Sequence, residues 1–278
     1  MPARYFKCPS EQAELITPIA DCLEMCPRSE GRCLSLPTLT EIGHTREWTG
    51  KPSTTQLLNP TRLEWLKIKR DYVIDPFDMA FALLGSRHHR MLESVANTIE
   101  GLIAEKKLGG DEAATNTGIL DLLEPDELNE GFWKLTDYKT WGAYSVAKIV
   151  GIKDNGEVDR RQTELQLNDY RVKAETLGFP ISRLFVQCTV RDGGTFSAKN
   201  MGVHFKICLT QINKLPDDEV TEYFIDKAQA LLETLESDTM PPLCDYESRW
   251  GNRRCKGFCP VMPFCPEGAA MNNVELQQ

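Results

Sequence analysis

The run from Trp133 to Trp141, WKLTDYKTW, limits the fold more than any other stretch. It reads as a strand, and on a strand residues two apart share a face. Asp137 and Lys139 therefore project together, a carboxylate able to hold a divalent metal beside an ammonium able to steady a negatively charged reactant. A strand ending in a surface ion pair is the plainer reading of the same triplet. A second strand-like run, Gly118-Ile-Leu-Asp-Leu-Leu123, places Asp121 among apolar residues. The acidic stretch from Glu124 to Gly131 between the two runs reads as a hairpin connection. The strands are thus expected to be antiparallel neighbours, with Asp121 near Asp137.

The cysteines are the second constraint. The chain has ten, a high number for a reduced protein. Eight fall in two terminal clusters, which points to metal ligation more than to disulfides. Cys8, Cys22, Cys26 and Cys33 are spaced C-x13-C-x3-C-x6-C. Four thiolates can close a tetrahedral zinc site, and residues 1–46 have little apolar core, so a metal would supply folding energy. A share in an iron–sulfur site and free thiols are the other readings of this segment. Cys244, Cys255, Cys259 and Cys265 are spaced C-x10-C-x3-C-x5-C among Pro and Gly in the tail 241–266. That tail is not expected to pack a helix or sheet of its own. Its thiolates could hold zinc or an iron–sulfur cluster. Cys188 and Cys208 lie in strand-like runs and read as small core residues.

Helices account for much of the rest. Ser53-Thr-Thr before an apolar run is a helix start. Leu57, Leu58, Leu63, Trp65 and Leu66 then predict a helix with a basic side. Phe81, Leu84, Met91, Val95, Ile99 and Leu102 recur at helical spacing and predict one long helix over 77–107. Gly85, His88 and His89 interrupt it, with His88 in the apolar stripe and His89 at its edge. A single buried His is usually a satisfied core residue, but two in a row beside a Gly suggest a site. Residues 108–117 read as a loop, and 142–178 as containing a helix that places Gln166 and Tyr170 on one face. Strands are expected over 181–191 and 202–211, and a closing helix over 217–235.

Composition, at 41% hydrophobic and 26% charged, is that of an ordinary globular protein. No run of about 18 apolar residues is present, so no membrane span is expected. No signal peptide is expected either, and the expected location is the cytoplasm, or the host cytoplasm for a viral chain. The net charge of −9 disfavours a histone-like nucleic-acid binder but leaves room for an enzyme with a local basic path. Two such paths are visible, Arg62, Lys67, Lys69 and Arg70, then Arg249, Arg253, Arg254 and Lys256. The plainer reading of each is a solvated face.

Taken in order, His89, Asp121, Asp137, Lys139, Gln166 and Tyr170 follow a helix–strand–strand–helix arrangement. This resembles the PD-(D/E)xK nuclease superfamily, specifically its RecB-like exonuclease branch. That branch includes CRISPR-associated exonucleases and the nuclease domains of AddAB-type enzymes. The resemblance spans about residues 53–266. It rests on Gly85-Ser-Arg-His-His89 with Glu93, on Gly118-x-x-Asp121, on Asp137-x-Lys139 and on Gln166-x3-Tyr170. Each is weak alone, and the four in order are strong. His88 fits one residue early and is the second choice after His89. Branch members with an iron–sulfur cluster carry one upstream cysteine. The matching segment here, Ser53 to Arg62, has Asn59 in that place. Cys244, or else an N-terminal cysteine such as Cys33, would complete the set.

The resemblance implies an α/β fold, a PD-(D/E)xK restriction-endonuclease-like core in which helices flank a central mixed sheet. Residues 47–278 would form it, with 1–46 as an appended module and 241–266 as the cluster-binding segment. Asp121 and Asp137 would hold magnesium or manganese, His89 would add a nitrogen ligand, and the Tyr138 carbonyl a further oxygen. Lys139 would orient the attacking water and steady charge, while Gln166 and Tyr170 line the cleft. A 4Fe-4S cluster on Cys244, Cys255, Cys259 and Cys265, with zinc as the alternative, would pin the tail. Trp250 would stack on bases or cover the cluster. The implied activity is a metal-dependent DNA exonuclease acting on single strands or ends in repair, recombination or phage and CRISPR DNA processing. Any helicase or recombination partner would be a separate chain. The rival readings are a DNA-binding accessory factor with a silent nuclease site and a structural zinc protein.

Overall fold

The computed structural model describes residues 3–9, 15–44, 46–111, 113–152 and 158–277. In chain order the elements begin β1 (Tyr5–Cys8), β2 (Leu15–Pro18), α1 (Ile19–Glu24), α2 (Leu36–Gly43), α3 (Thr54–Leu57), α4 (Thr61–Lys69) and β3 (Val73–Ile74). Next come α5 (Ala80–Ala96), β4 (Ile103–Leu108), β5 (Gly118–Pro125), β6 (Trp133–Trp141), α6 (Ala143–Val150) and α7 (Arg161–Thr176). The chain closes with β7 (Ile181–Val190), α8 (Phe196–Asn200), β8 (Ile207–Ile212), α9 (Asp217–Glu236), α10 (Arg253–Gly257) and α11 (Pro266–Asn272). No helix among the described residues is long and apolar enough to cross a membrane.

The chain divides into two compact units. One comprises 1–52, 59–83 and 226–278, and the other 53–58 and 84–225. The boundary expected after residue 46 is not where the contacts divide. Strand β1 pairs antiparallel with β2 but also parallel with β3, so residues 1–46 do not close a sheet alone. The short 53–58 piece joins the second unit through a buried polar knot. There the Thr54 hydroxyl donates to Asp169 at 2.6 Å, and the Asn116 amide donates to both Asp169 and Thr54.

The second unit is a mixed α/β body with a five-stranded sheet in the order β4-β5-β6-β7-β8. Its pairs are antiparallel except β6 with β7. A parallel pair needs a long crossover, and residues 142–180 supply it with α6 and α7. Leu120, Leu123, Leu135, Leu167, Ala174 and Leu184 form part of its core. The β5–β6 pair is the antiparallel neighbour pair expected from sequence. Its hairpin is tied by Asp126, which is buried. The Asp126 carboxylate accepts from the Leu128 backbone N–H, the Asn129 amide, the Ser182 hydroxyl and the Arg183 guanidinium.

Several expected elements differ. The helix begun at Ser53, where Gln56 completes a capping box, stops at Leu57, and α4 restarts after Pro60, which lacks the N–H a continuous helix needs. The long helix over 77–107 is α5 followed by a turn and β4. Its apolar stripe is not core: Leu84, Met91 and Val95 are exposed, and the Gly85–His88–His89 side faces the sheet. A Cβ on Gly85 would lie 3.3 Å from the Thr140 hydroxyl. The helix within 142–178 is two, α6 and α7, with 153–157 outside the described residues. Glu112, in the expected loop, also lies outside them. The strand expected over 202–211 is β8, preceded by α8, which its Thr195 cap starts. The tail does form short helices, α10 and α11, against the expectation from its Pro and Gly content.

Arg183 holds the Asp126 carboxyl well below the usual carboxylate range, against the opposing pull of desolvation. The resulting stabilisation is fully present above the unfolded value of about 3.9. It is lost as pH falls toward the much lower folded value. Asp126→Asn should therefore lower the melting temperature at neutral pH. The gap from wild type should narrow in a thermal-melt series taken to acid below about pH 4.

Candidate functional site

Strands β5 and β6 position the acidic groups. Their paired register runs from Pro125↔Trp133 to Leu122↔Thr136 and stops there. Beyond it the Tyr138 backbone N–H donates to Asp121 Oδ2 at 2.7 Å in place of a ladder bond. Counting on from the register puts Asp121 on the same face as Asp137 and Lys139. The expected approach of the two aspartates is thus present.

Asp137 is 2% exposed. Lys139 Nζ lies 3.0 Å from its Oδ1 and 2.8 Å from its Oδ2. Gln166 Nε2 donates to Oδ1 at 3.4 Å and to the Tyr170 hydroxyl at 3.2 Å. Although it is ion-paired with the lysine, Oδ2 makes no hydrogen bond. Burial pushes the Asp137 carboxyl up to about 6; Lys139 works against that rise and Asp121 adds to it. Burial opposes the charge on Lys139, but Asp137 outweighs it and holds the ammonium above its ordinary value. Burial likewise holds the Tyr170 phenol well above its usual range. Tyr170 packs so closely on β5 that a Cβ on Gly118 would come within 2.6 Å of its ring.

Helix α5 supplies histidines to the same face. His89 Nδ1 is 3.5 Å from Asp121 Oδ2, and that carboxylate raises the His89 pKa against the pull of burial. His88 instead meets the Thr189 hydroxyl at 3.5 Å, and burial, then His89, lowers its pKa. The structure therefore sets His89, not His88, against the acid.

One residue escaped the sequence reading. Glu105 lies in β4 between Ala104↔Leu122 and Lys106↔Leu120, level with Asp121, at φ 48°. A left-handed backbone on a non-glycine residue costs of order 1–3 kcal/mol. Ligand atoms of His89, Glu105 and Asp121 all lie within 4.8 Å of one another, the one such trio among the described residues. One imidazole and two carboxylates could hold a divalent metal ion. Reading 103–107 as helix hid Glu105; read as a strand beside β5, the segment would have brought it level with Asp121.

The terminal cysteines belong to the other unit. Cys244, Cys255, Cys259 and Cys265 line one cavity together with Arg62 and Leu66. Burial pushes Cys259 up to about 11 and raises Cys244 and Cys255. Asn59 accepts from Arg254 and donates to Glu64 and is not among the residues lining that cavity. Cys33 stands with Cys8, Cys22 and Cys26 instead. The basic path through Arg62 is not a solvated face. Arg62 is buried and donates to the Pro241 carbonyl at 2.7 Å, to Cys265 and to Glu267. Trp250 is half exposed, with Arg254 stacked 4.5 Å from its ring, and it does not line the cavity. Cys188 is fully buried, as expected, and faces Cys208 across β7 and β8.

No protein-family model and no curated protein matches the chain. Among solved structures, the chain is similar to one titled "Crystal structure of SSO0001". The match has 16% identity and a TM-score of 0.48, over 83% of this chain and 92% of that one. A likeness of this degree supports no statement about activity.

Glu105→Gln removes one carboxylate from the trio while keeping its size. Manganese affinity, measured by calorimetry, should weaken by about tenfold or more. An unchanged affinity would remove Glu105 from the ligand set.

Proposed function

We propose that the second unit is a PD-(D/E)xK-type nuclease core, a metal-dependent DNA exonuclease acting on single strands or ends. One observation carries this reading. A buried Asp137, paired with Lys139 and held by Gln166, shares a sheet face with the His89–Glu105–Asp121 trio. The donor set suits the group. Oxygen ligands with one nitrogen fit magnesium or manganese, and the buried Asp137 Oδ2 makes no hydrogen bond. When bound, such an ion supplies a water of lowered pKa and neutralises charge on a phosphate.

The chain's own residues do the rest. Asp121, Asp137 and His89 would hold the ion, with Glu105 as a further carboxylate and the Tyr138 carbonyl as a further oxygen. Lys139 orients the attacking water and stabilises charge building on the phosphate oxygens. The pairing with Asp137 keeps that lysine protonated, which favours the electrostatic role over that of a base. Gln166 fixes the Asp137 carboxylate, and Tyr170 fixes Gln166.

In the first unit, Cys244, Cys255, Cys259 and Cys265 are proposed to hold a 4Fe-4S cluster, with zinc as the alternative. Their shared cavity supports Cys244 as the fourth ligand in place of Asn59.

The deciding assay is cleavage of end-labelled single-stranded DNA with manganese, magnesium or EDTA. Wild type should trim from one end with either metal and be silent in EDTA. Lys139→Ala should lose on the order of a hundredfold or more in rate. Asp137→Ala should abolish cleavage while leaving DNA binding in place. Binding without cleavage in wild type would move the reading to an accessory factor with a silent site. Anaerobically purified protein should contain iron and inorganic sulfide with a broad visible absorption band, lost in Cys259→Ser. Zinc without that band, lost in part or whole in Cys259→Ser, would assign the alternative metal.

A further inference from the structure

We infer that the amino-terminal thiols Cys8, Cys22, Cys26 and Cys33 form a structural zinc site, separate from the carboxy-terminal cysteine cavity. The four come from consecutive pieces of one small assembly. Cys8 ends β1 opposite Leu15 of β2, Cys22 sits in α1, and Cys26 follows that helix. Cys33 packs against the same apolar cluster as Cys22. Its neighbour Arg32 donates to the Leu23 carbonyl at 3.0 Å and the Glu24 carbonyl at 3.3 Å. That clasp returns the Cys33 loop to the end of α1, where Cys22 and Cys26 lie. The charges of the other three thiols each act on Cys22, so the set occupies one neighbourhood.

Two physical considerations point to a metal. The apolar cluster beneath the thiols is small, with Ala3, Phe6, Ile19, Leu39 and Ile42 as its buried members besides Cys22. A metal held by the four thiols would add to so small a cluster the folding energy that apolar burial does not supply there. Further, Arg28 keeps a buried Nε with no hydrogen-bond partner. Arg28 acts on Cys8 and Arg32 on Cys22, so two guanidinium groups flank the thiols. A zinc ion held by four thiolates carries two net negative charges, which those cations offset. A thiolate would also give Nε an acceptor. An all-sulfur set selects a soft or borderline metal, and zinc accepts its tetrahedral geometry without redox chemistry. No three of these sulfurs lie mutually within 4.8 Å in the described structure. Zinc–sulfur bonds of about 2.3 Å would draw them to roughly 3.8 Å apart, tightening the fold around α1.

The test uses the full chain. Purified wild type should carry at least one zinc per chain by elemental analysis, whatever metal the carboxy-terminal cysteines hold. Cys255→Ser/Cys259→Ser should keep that zinc, and Cys22→Ser/Cys26→Ser should lose it. Because the second variant could misfold, alkylation mapped by peptide mass spectrometry is run on wild type itself. Cys8, Cys22, Cys26 and Cys33 should label at least tenfold more slowly before chelation than after it. Loss of all zinc in the carboxy-terminal variant, iron at the amino-terminal thiols, or equal labelling with and without chelator would each overturn the assignment. The outcome does not depend on nuclease activity.

Discussion

A charged pair withdrawn from water sits at the middle of the second unit, and the arrangement around it follows from that. Asp137 and Lys139 stand two apart on β6, which is flanked by strands on both sides. Taking such ions out of water costs several kcal/mol each, and the pair survives only where its remaining valences are met. The protein meets one of them from the crossover: α7 lies between β6 and β7 in sequence and lowers Gln166 onto Asp137 Oδ1, leaving Oδ2 to the lysine alone. Asp121 meets the same need differently, taking the Tyr138 N–H where the β5–β6 ladder stops. The left-handed turn at Glu105 and the missing Cβ at Gly118 are further local departures on the neighbouring strands. Strain and close approach of this kind gather where geometry has to be held for a purpose.

Much of this was legible beforehand because strands carry a short, rigid period. The pairing of β5 with β6 follows from two runs and one acidic turn, and the register of the structure then sets Asp121 and Asp137 on one face. Helix α7 was readable for the same reason: Gln166 and Tyr170 four apart must share a side. What failed was inference from apolar content. In α5 the stripe of Leu84, Met91 and Val95 looked like the buried face, yet the protein turns the glycine and histidines inward. Periodicity reports that two faces differ and is silent on which one packs. Overextending that helix also hid β4, and with it Glu105.

The cysteine segments show a different limit. Spacing grouped the thiols into two sets by position, but it could not show that both sets belong to one discontinuous unit. Nor could it show that Arg62, apparently part of a basic path, is spent holding Pro241, Cys265 and Glu267. Those contacts join residues 179 to 205 positions apart, which no local pattern encodes.

That discontinuity bears on how the chain matures on the ribosome. The second unit is complete once Ile225 has emerged, whereas the first needs its three separated segments together. At synthesis rates of about 5–20 residues per second, α4 waits several seconds more for the carboxy-terminal segment that holds it. Through that interval Arg62 and Trp65 are present without Pro241, Glu267 and Thr234, the groups to which they donate in the finished fold.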